Sequence, residues 1–161
     1  MQASTNLCPC CGKPRSIAHL LELHERNFRL LEQLVPEMDV PFERAVSRSQ
    51  SDCPLHLDLV ERDRYTVTLR LTYEFTDQDG ARRQPDLWVR AYLDARVAEA
   101  LKCSQRPPWL AADDADPEAH AFLSAQWRRN TMLNKWLEYL LEHGHGFGLA
   151  ARPRLQAAAV A

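Results

Sequence analysis

Residues 65–75 read YTVTLRLTYEF, and this run decides the fold of the chain. Apolar or aromatic side chains occupy every second position and alternate with threonine, arginine and glutamate. A period of two, rich in β-branched and aromatic residues, is typical of a β-strand with one buried and one exposed face. The run therefore predicts a half-buried strand at the centre of the domain.

The segments on both sides of this run have the same period. Residues 55–59 precede it across the short connection 61–64, and residues 87–93 and 97–103 follow it, each after a turn. Connections this short join antiparallel neighbours, because a parallel return needs a dozen residues or more. With residues 43–50 as a weaker first strand, we expect a meander sheet of four to five strands.

Two amphipathic helices flank the predicted sheet. Ser16 is an N-cap for a helix near residues 16–35, in which apolar residues recur every three or four positions. A proline at the first helical position predicts a second helix near residues 117–143, which ends where Gly144 can adopt a left-handed cap. Whether this second region is one helix or two stays open. The order helix, strands, helix predicts an α+β domain with the sheet packed against both helices.

Composition and charge restrict the class of protein. The chain has 161 residues, with 20 Lys and Arg against 22 Asp and Glu, so its net charge is −2. That balance argues against a polybasic nucleic-acid binder. No window approaches the length of an apolar membrane span, and the first residues lack the basic start and apolar core of a signal peptide. We therefore expect a cytoplasmic protein whose five cysteines are reduced thiols or metal ligands.

We expect three regions along the chain. Residues 1–15 form a cysteine-containing lead-in, residues 16–147 a single α+β domain, and residues 148–161 a frayed tail without a periodic partner.

The lead-in contains a candidate zinc knuckle. Cys8 and Cys11 have two residues between them and a glycine after them, the C-P-x-C-G spacing with which two thiolates bind one Zn²⁺. A closed zinc site needs four ligands, and the second cysteine pair of the usual signature is missing. Cys10, His19 and His24 are the candidate residues to complete the site. The alternative interpretation is a reduced, flexible terminus without metal.

A second candidate site lies on the polar face of the predicted sheet. Arg90, Tyr92 and Asp94 alternate with the apolar residues of the third run, and Glu99 on the next strand faces Arg90 across the ladder. Aromatic rings offer contact area and arginine offers a planar fork for carboxylate or phosphate, so this face is a candidate ligand or partner surface. The alternative is a structural cross-strand ion pair under a covering helix. The predicted set is Glu61, Arg64, Tyr65, Arg90, Tyr92, Asp94 and Glu99.

Catalytic motifs do not support an enzyme. The sequence has no nucleophile elbow, zinc-protease motif, Walker loop or dinucleotide-binding glycine pattern. We therefore favour a non-enzymatic domain that binds a protein or a small regulatory ligand. The alternative is a nucleotide- or RNA-binding module that uses Arg62, Arg64, Arg90 and Tyr92, and a steep loss of affinity with added salt would distinguish it.

Two blocks of sequence support a family resemblance. Glu61 to Thr66 reads ERDRYT and Arg90 to Glu99 reads RAYLDARVAE. Together with the pattern of the opening helix from Asn27 and that of the closing helix from Asn130, they resemble the YqiB-like family of bacterial proteins, a domain of unknown function.

The resemblance covers residues 24–147 and implies an α+β fold. It brings no established activity, cofactor or partner. The chain departs from the family pattern at Leu93, where the family commonly has histidine, and residues 1–15 are an addition to that pattern.

Overall fold

The structure, a computed structural model, describes residues 16–103 and 118–148, with the backbone alone for residues 103 and 118–121. The elements of these ranges follow the predicted order. They are α1 (Ile17–Leu34), β1 (Arg44–Ser47), β2 (Leu55–Arg62), β3 (Thr66–Asp77), β4 (Gly80–Tyr92), β5 (Val97–Cys103) and α2 (Glu118–Glu142).

The strands form one antiparallel sheet in the order β1-β2-β3-β4-β5. This confirms the predicted α+β class and the meander, with residues 44–47 as the weaker first strand. The β3–β4 hairpin is longer than the apolar runs 65–75 and 87–93 predict, because strand pairing continues to Asp77 and Gly80. Strand β4 therefore begins seven residues before its apolar run.

Helix α1 begins after its predicted cap Ser16, and helix α2 ends before its predicted cap Gly144. The Ser16 hydroxyl accepts a hydrogen bond from the His19 amide, and α1 ends at Leu34. Helix α2 continues unbroken from Glu118 to Glu142, which answers the question of one helix or two. Gly144 follows it with a φ of +79°, a conformation that glycine adopts without steric cost.

One face of the sheet and both helices enclose the main core. Strand residues on this face lie opposite helix residues from the second half of α1 and from α2, and all are nearly inaccessible to water. The largest fully buried side chains are Leu31, Leu34, Val35, Leu55, Leu57, Val67, Leu69, Leu71, Leu87, Leu133, Leu137 and Leu140.

The two helices run parallel to each other and cross the sheet from β5 towards β1. Near their starts Leu20 and Leu23 cluster with Trp127, and at their ends the Phe147 amide donates to the carbonyl of Leu34. Between these points the buried side chain of Asn130 accepts a hydrogen bond from the amide of Ala100 in the edge strand β5, at 2.9 Å. Helix α2 therefore closes this edge of the sheet.

Candidate binding face

The sheet face opposite the core, called the open face below, carries the predicted site. Its residues alternate with the buried ones along every strand, and both helices pack on the other side. No helix of residues 16–103 and 118–148 covers it. Its charged residues are Arg44, Asp58, Glu61, Arg70, Glu74, Arg83, Asp86, Arg90, Glu99 and Lys102.

Charged side chains on the open face form pairs that cross strand boundaries. Arg70 makes a two-pronged contact with Asp86, at 2.6 and 2.9 Å. This hydrogen-bonded contact raises the pKa of Arg70. Arg44 lies 3.0 Å from Asp58 on the neighbouring strand. Cross-strand pairing of this kind stabilises a sheet and holds each charge in a fixed position.

The structure brings together four of the seven predicted residues. The Arg90 guanidinium lies 3.6 Å from Glu61, while its Nε donates to the Thr68 hydroxyl at 3.2 Å. The Tyr92 hydroxyl donates to Glu99 at 2.8 Å. Burial, and then this hydrogen bond, raise the pKa of Tyr92. Arg90 and Glu99 are register partners, as the alternation predicts, but Arg90 pairs with Glu61 and Glu99 with Tyr92.

The other three predicted residues lie at the turns beside this cluster. Arg64 stacks over the ring of Tyr65, 5.0 Å from its centroid, and Tyr65 is 50% exposed. The Leu93 amide donates to the carbonyl of Tyr65 at 2.8 Å, so the β2–β3 and β4–β5 turns are joined. Asp94 is exposed in the second turn. All seven residues therefore lie near one end of the sheet.

Trp88 and Lys102 extend the open face towards the β5 edge. The Lys102 ammonium lies 3.7 Å from the centroid of the Trp88 ring. The alternation with Leu87 and Val89 predicts the side of Trp88, but nothing in the sequence predicts Lys102. A register shift between Trp88 and Val89 places Lys102 opposite the tryptophan.

Among the residues of the nucleic-acid alternative, Arg62 pairs with the core residue Val67 and lies apart from the other three. Arg62 is half-buried and donates to the carbonyls of Met38 and Val40, at 2.6 and 3.1 Å. It thereby fixes the connection between α1 and β1. Of the other three, Arg64 stacks on its neighbour Tyr65, and Arg90 pairs with Glu61.

The candidate zinc ligands are only partly described. Cys8, Cys10 and Cys11 lie outside the described residues. His19 Nδ1 lies 2.7 Å from the Ser16 hydroxyl, whereas His24 is half-buried and its Nε2 has no hydrogen-bond partner. Five residues correspond to about 140° around a helix, so the two histidines point in different directions. Within residues 16–103 and 118–148 no three metal-binding side chains form a cluster.

A further polar cluster, which the sequence does not predict, follows the end of α2. His145 Nδ1 lies 3.1 Å from the Ser47 hydroxyl, and its Nε2 lies 3.1 Å from Asp52. The Gly146 amide donates to the same hydroxyl, at 3.1 Å. Serine, histidine and aspartate also form the triad of nucleophilic hydrolases, but there Nε2 faces the serine and Nδ1 the aspartate, the reverse of the contacts here. The His145 side chain is fully buried and Ser47 is 5% exposed, so the cluster lies inside the fold and not in an open cleft.

Asp52 joins this cluster, called the clasp below, to strand β3. It accepts hydrogen bonds from the Tyr73 hydroxyl at 2.5 Å and from the Cys53 amide at 2.8 Å. Burial opposes ionisation of Asp52, but these bonds and the one from His145 outweigh burial and lower its pKa. Burial and the contact with Asp52 raise the pKa of Tyr73. The clasp therefore connects the segment after α2 with β1 and β3 around one half-buried carboxylate.

Comparison with known proteins identifies a family without a known activity. Residues 30–146, more than two thirds of the chain, match the family described as "Protein of unknown function (DUF1249)", and the chain belongs to that family. No curated protein and no solved structure matches the chain. The helices in the described part of the chain are too short or too polar to cross a membrane. Membership of an uncharacterised family is confirmed, while the YqiB-like name stays a prediction.

Proposed function

We propose that this member of the DUF1249 family is a non-enzymatic domain that binds a protein partner through the open face of its sheet. The observation that carries the proposal is a whole sheet face bearing paired charges and a tryptophan, with neither α1 nor α2 packed over it. A layer of this kind offers a broad surface already fixed in shape, which suits a folded partner.

The charge pattern favours a protein over a nucleic acid. The open face carries five basic residues, Arg44, Arg70, Arg83, Arg90 and Lys102, and five acidic ones, Asp58, Glu61, Glu74, Asp86 and Glu99. A phosphate backbone requires an excess of positive charge. A protein surface can instead match fixed charges of both signs, which gives specificity more than raw affinity.

The test is to capture the partner and then measure its binding in purified form. The chain is used as bait in an extract of its own cells, and the captured protein is purified for calorimetry. The double variant Trp88→Ser with Lys102→Ser removes the aromatic and its ammonium from the open face. We expect it to weaken binding at least tenfold.

The matched control is Phe75→Ser with Arg82→Ser. These two residues are also an aromatic and a basic side chain at paired positions of the sheet, but they lie on the opposite side. We expect the control to bind within twofold of the original chain. Equal loss in both variants, or binding that weakens steeply with salt and requires nucleic acid, would contradict the proposal.

A further inference from the structure

The turn between β4 and β5 contains an arginine in a backbone conformation that suits glycine. Arg96 has a φ of +55°, and within residues 16–103 and 118–148 it is the one residue other than glycine with a positive φ. This region of backbone space disfavours residues that carry a Cβ atom, and glycine or asparagine is its usual occupant. Glycine would form the same turn with less strain, so the arginine side chain must contribute something that the turn itself does not require.

The side chain of Arg96 reaches α1 and makes two contacts there. Its guanidinium carbon lies 5.1 Å from the centroid of the Phe28 ring, and one of its nitrogens lies 2.8 Å from the Glu32 carboxylate. Phe28 belongs to the main core, so the guanidinium rests on a ring that is itself fixed. A planar guanidinium can stack on a ring and pair with a carboxylate at the same time. We call these two contacts of Arg96 the latch.

The latched turn is bonded to the neighbouring turn between β2 and β3. The Leu93 amide of the first turn donates to the Tyr65 carbonyl of the second, at 2.8 Å. The second turn is closed by the Asp63 amide, which donates to the Thr66 carbonyl at 2.9 Å. Because the two turns are joined through their backbones, the latch on α1 restrains both of them.

Two contacts of the open face lie directly beside these turns. Tyr92, the last residue of β4, donates to Glu99 of β5 at 2.8 Å. Glu61, next to the last residue of β2, lies 3.6 Å from Arg90. A surface whose side chains already have their bound arrangement loses less conformational entropy when a partner binds. Restraint of the turns therefore favours binding at this end of the open face.

We infer that Arg96 is a positioning residue of the proposed binding surface, which acts through the latch and not through a contact with the partner. The latch holds both turns, and with them the Arg90–Glu61 and Tyr92–Glu99 contacts, in one arrangement. The left-handed backbone of Arg96 is the strain that accompanies this placement of its side chain. The inference rests on the proposed function, since it assigns Arg96 a role in binding at the open face.

The first experiment examines the latch in the full chain without any partner. Arg96→Gly removes the side chain but keeps a residue that adopts a positive φ without steric cost. Hydrogen exchange of single amides, followed by NMR, should show the Leu93 amide exchanging at least threefold faster, with the Leu69 amide of the central strand within twofold. The control Ala95→Gly, at the neighbouring turn position, keeps the latch and should leave the Leu93 amide within twofold. An unchanged Leu93 amide in Arg96→Gly would overturn the inference.

The second experiment is calorimetry with the protein captured through the open face. Arg96→Gly should weaken binding about fivefold, Arg96→Lys, which can still pair with Glu32, should weaken it less, and Ala95→Gly should bind within twofold of the original chain. Faster exchange with unchanged affinity would overturn the inference and leave the proposed function in place. Binding that the Trp88→Ser, Lys102→Ser variant does not weaken would instead contradict the proposed function, and the positioning role would fall with it.

Discussion

At the scale of single residues, Asn130 connects three elements through its side-chain amide and its backbone carbonyl. It accepts from the Ala100 amide of β5 at 2.9 Å and donates to the Gln126 carbonyl of its own helix, at 2.9 Å. Its backbone carbonyl accepts from Asn27 of α1, at 3.1 Å. Because Asn27, Ala100 and Asn130 are buried, removing the Asn130 side chain leaves the buried amide of Ala100 without an acceptor.

The first prediction follows from that network. Asn130→Ala should lower the free energy of unfolding by roughly 1–3 kcal/mol for each buried group that it leaves unpaired. Urea denaturation followed by circular dichroism measures the loss. The control is Gln126→Ala, which changes a half-buried residue one turn earlier and should cost less. Equal losses in the two variants would mean that the Asn130 amide has no special role.

The second prediction concerns the clasp. The folded protein lowers the pKa of Asp52 below its ordinary value of 3.8. The unfolded chain therefore binds a proton more readily, and the stability that Asp52 supplies is complete above pH 3.8. This stability is lost as the pH falls through the folded-state pKa.

Asp52→Asn should therefore reduce stability at pH 7 and flatten the decline of the free energy of unfolding below about pH 4. Chemical denaturation at pH values from 7 to 3 measures both effects. Asp94→Asn, an exposed acid in a turn, is the control and should follow the original chain. An unchanged slope in the Asp52 variant would contradict the assignment.

The third prediction concerns His24, which burial places in an environment unfavourable for charge. Burial lowers its pKa below 6.5, and Glu99 opposes this shift only in part. Below pH 6.5 the unfolded state therefore binds a proton at His24 more readily than the folded state does. The free energy of unfolding should consequently fall as the pH decreases through 6.5. His24→Gln should reduce this dependence between pH 7.5 and 5.5, whereas His19→Gln on the same helix should not. Thermal unfolding across this range is the measurement.

At the scale of elements, the sequence predicts what periodic burial dictates. Helices and strands with one buried face have a readable period, and β2, β3, α1 and α2 were predicted on that basis. Residues 80–86 lack such a period, because they are exposed or only half-buried in a hairpin that extends past the core. Hydrogen bonds between the β3 and β4 backbones hold them as a strand. Such bonds do not require apolar side chains at alternate positions, so the sequence pattern does not reveal them.

For the candidate site, too, the sequence predicts which face a strand residue lies on, but not its hydrogen-bond partner. Alternation places Arg90, Tyr92 and Glu99 on one face, and the register confirms it. The partner of Arg90 was not predictable, because an irregularity between Leu59 and Glu61 shifts Glu61 beside Thr68. The clasp was not predictable either, since His145 is more than ninety residues from Ser47 and Asp52 along the chain.

The fourth prediction belongs to the β3–β4 hairpin. Gly80 begins β4 with a φ of +117°, and a Cβ atom there would have nothing within 4 Å. Gly80→Ala should therefore destabilise by about 1 kcal/mol or more through backbone strain alone. Gly146→Ala, at a glycine without positive φ and with equally open space, should have a smaller effect. Urea unfolding compares the two, and a larger loss for Gly146 would contradict this reason.

At the scale of the whole molecule, the described domain has a core of its own, built from one sheet face and two helices. The described ranges supply a core of both helices and one sheet face, so we expect the domain to fold without the cysteine-containing lead-in. The zinc knuckle therefore stays a separate prediction, and it can be tested independently of the folding of the domain. Deleting residues 1–15 should leave the helical signal and the cooperativity of unfolding unchanged.

The fifth prediction is that Cys8 and Cys11 bind structural Zn²⁺ together with ligands among Cys10, His19 and His24. The chain purified without a histidine tag should contain close to one zinc ion, and Cys8→Ser with Cys11→Ser should abolish it. Because thiolate ligands release protons on binding, zinc affinity should fall as the pH drops below neutrality. Elemental analysis gives the metal content, and zinc far below half an ion per chain, unchanged in the double variant, would contradict the knuckle. Half an ion per chain would instead indicate a site shared by two copies of the chain.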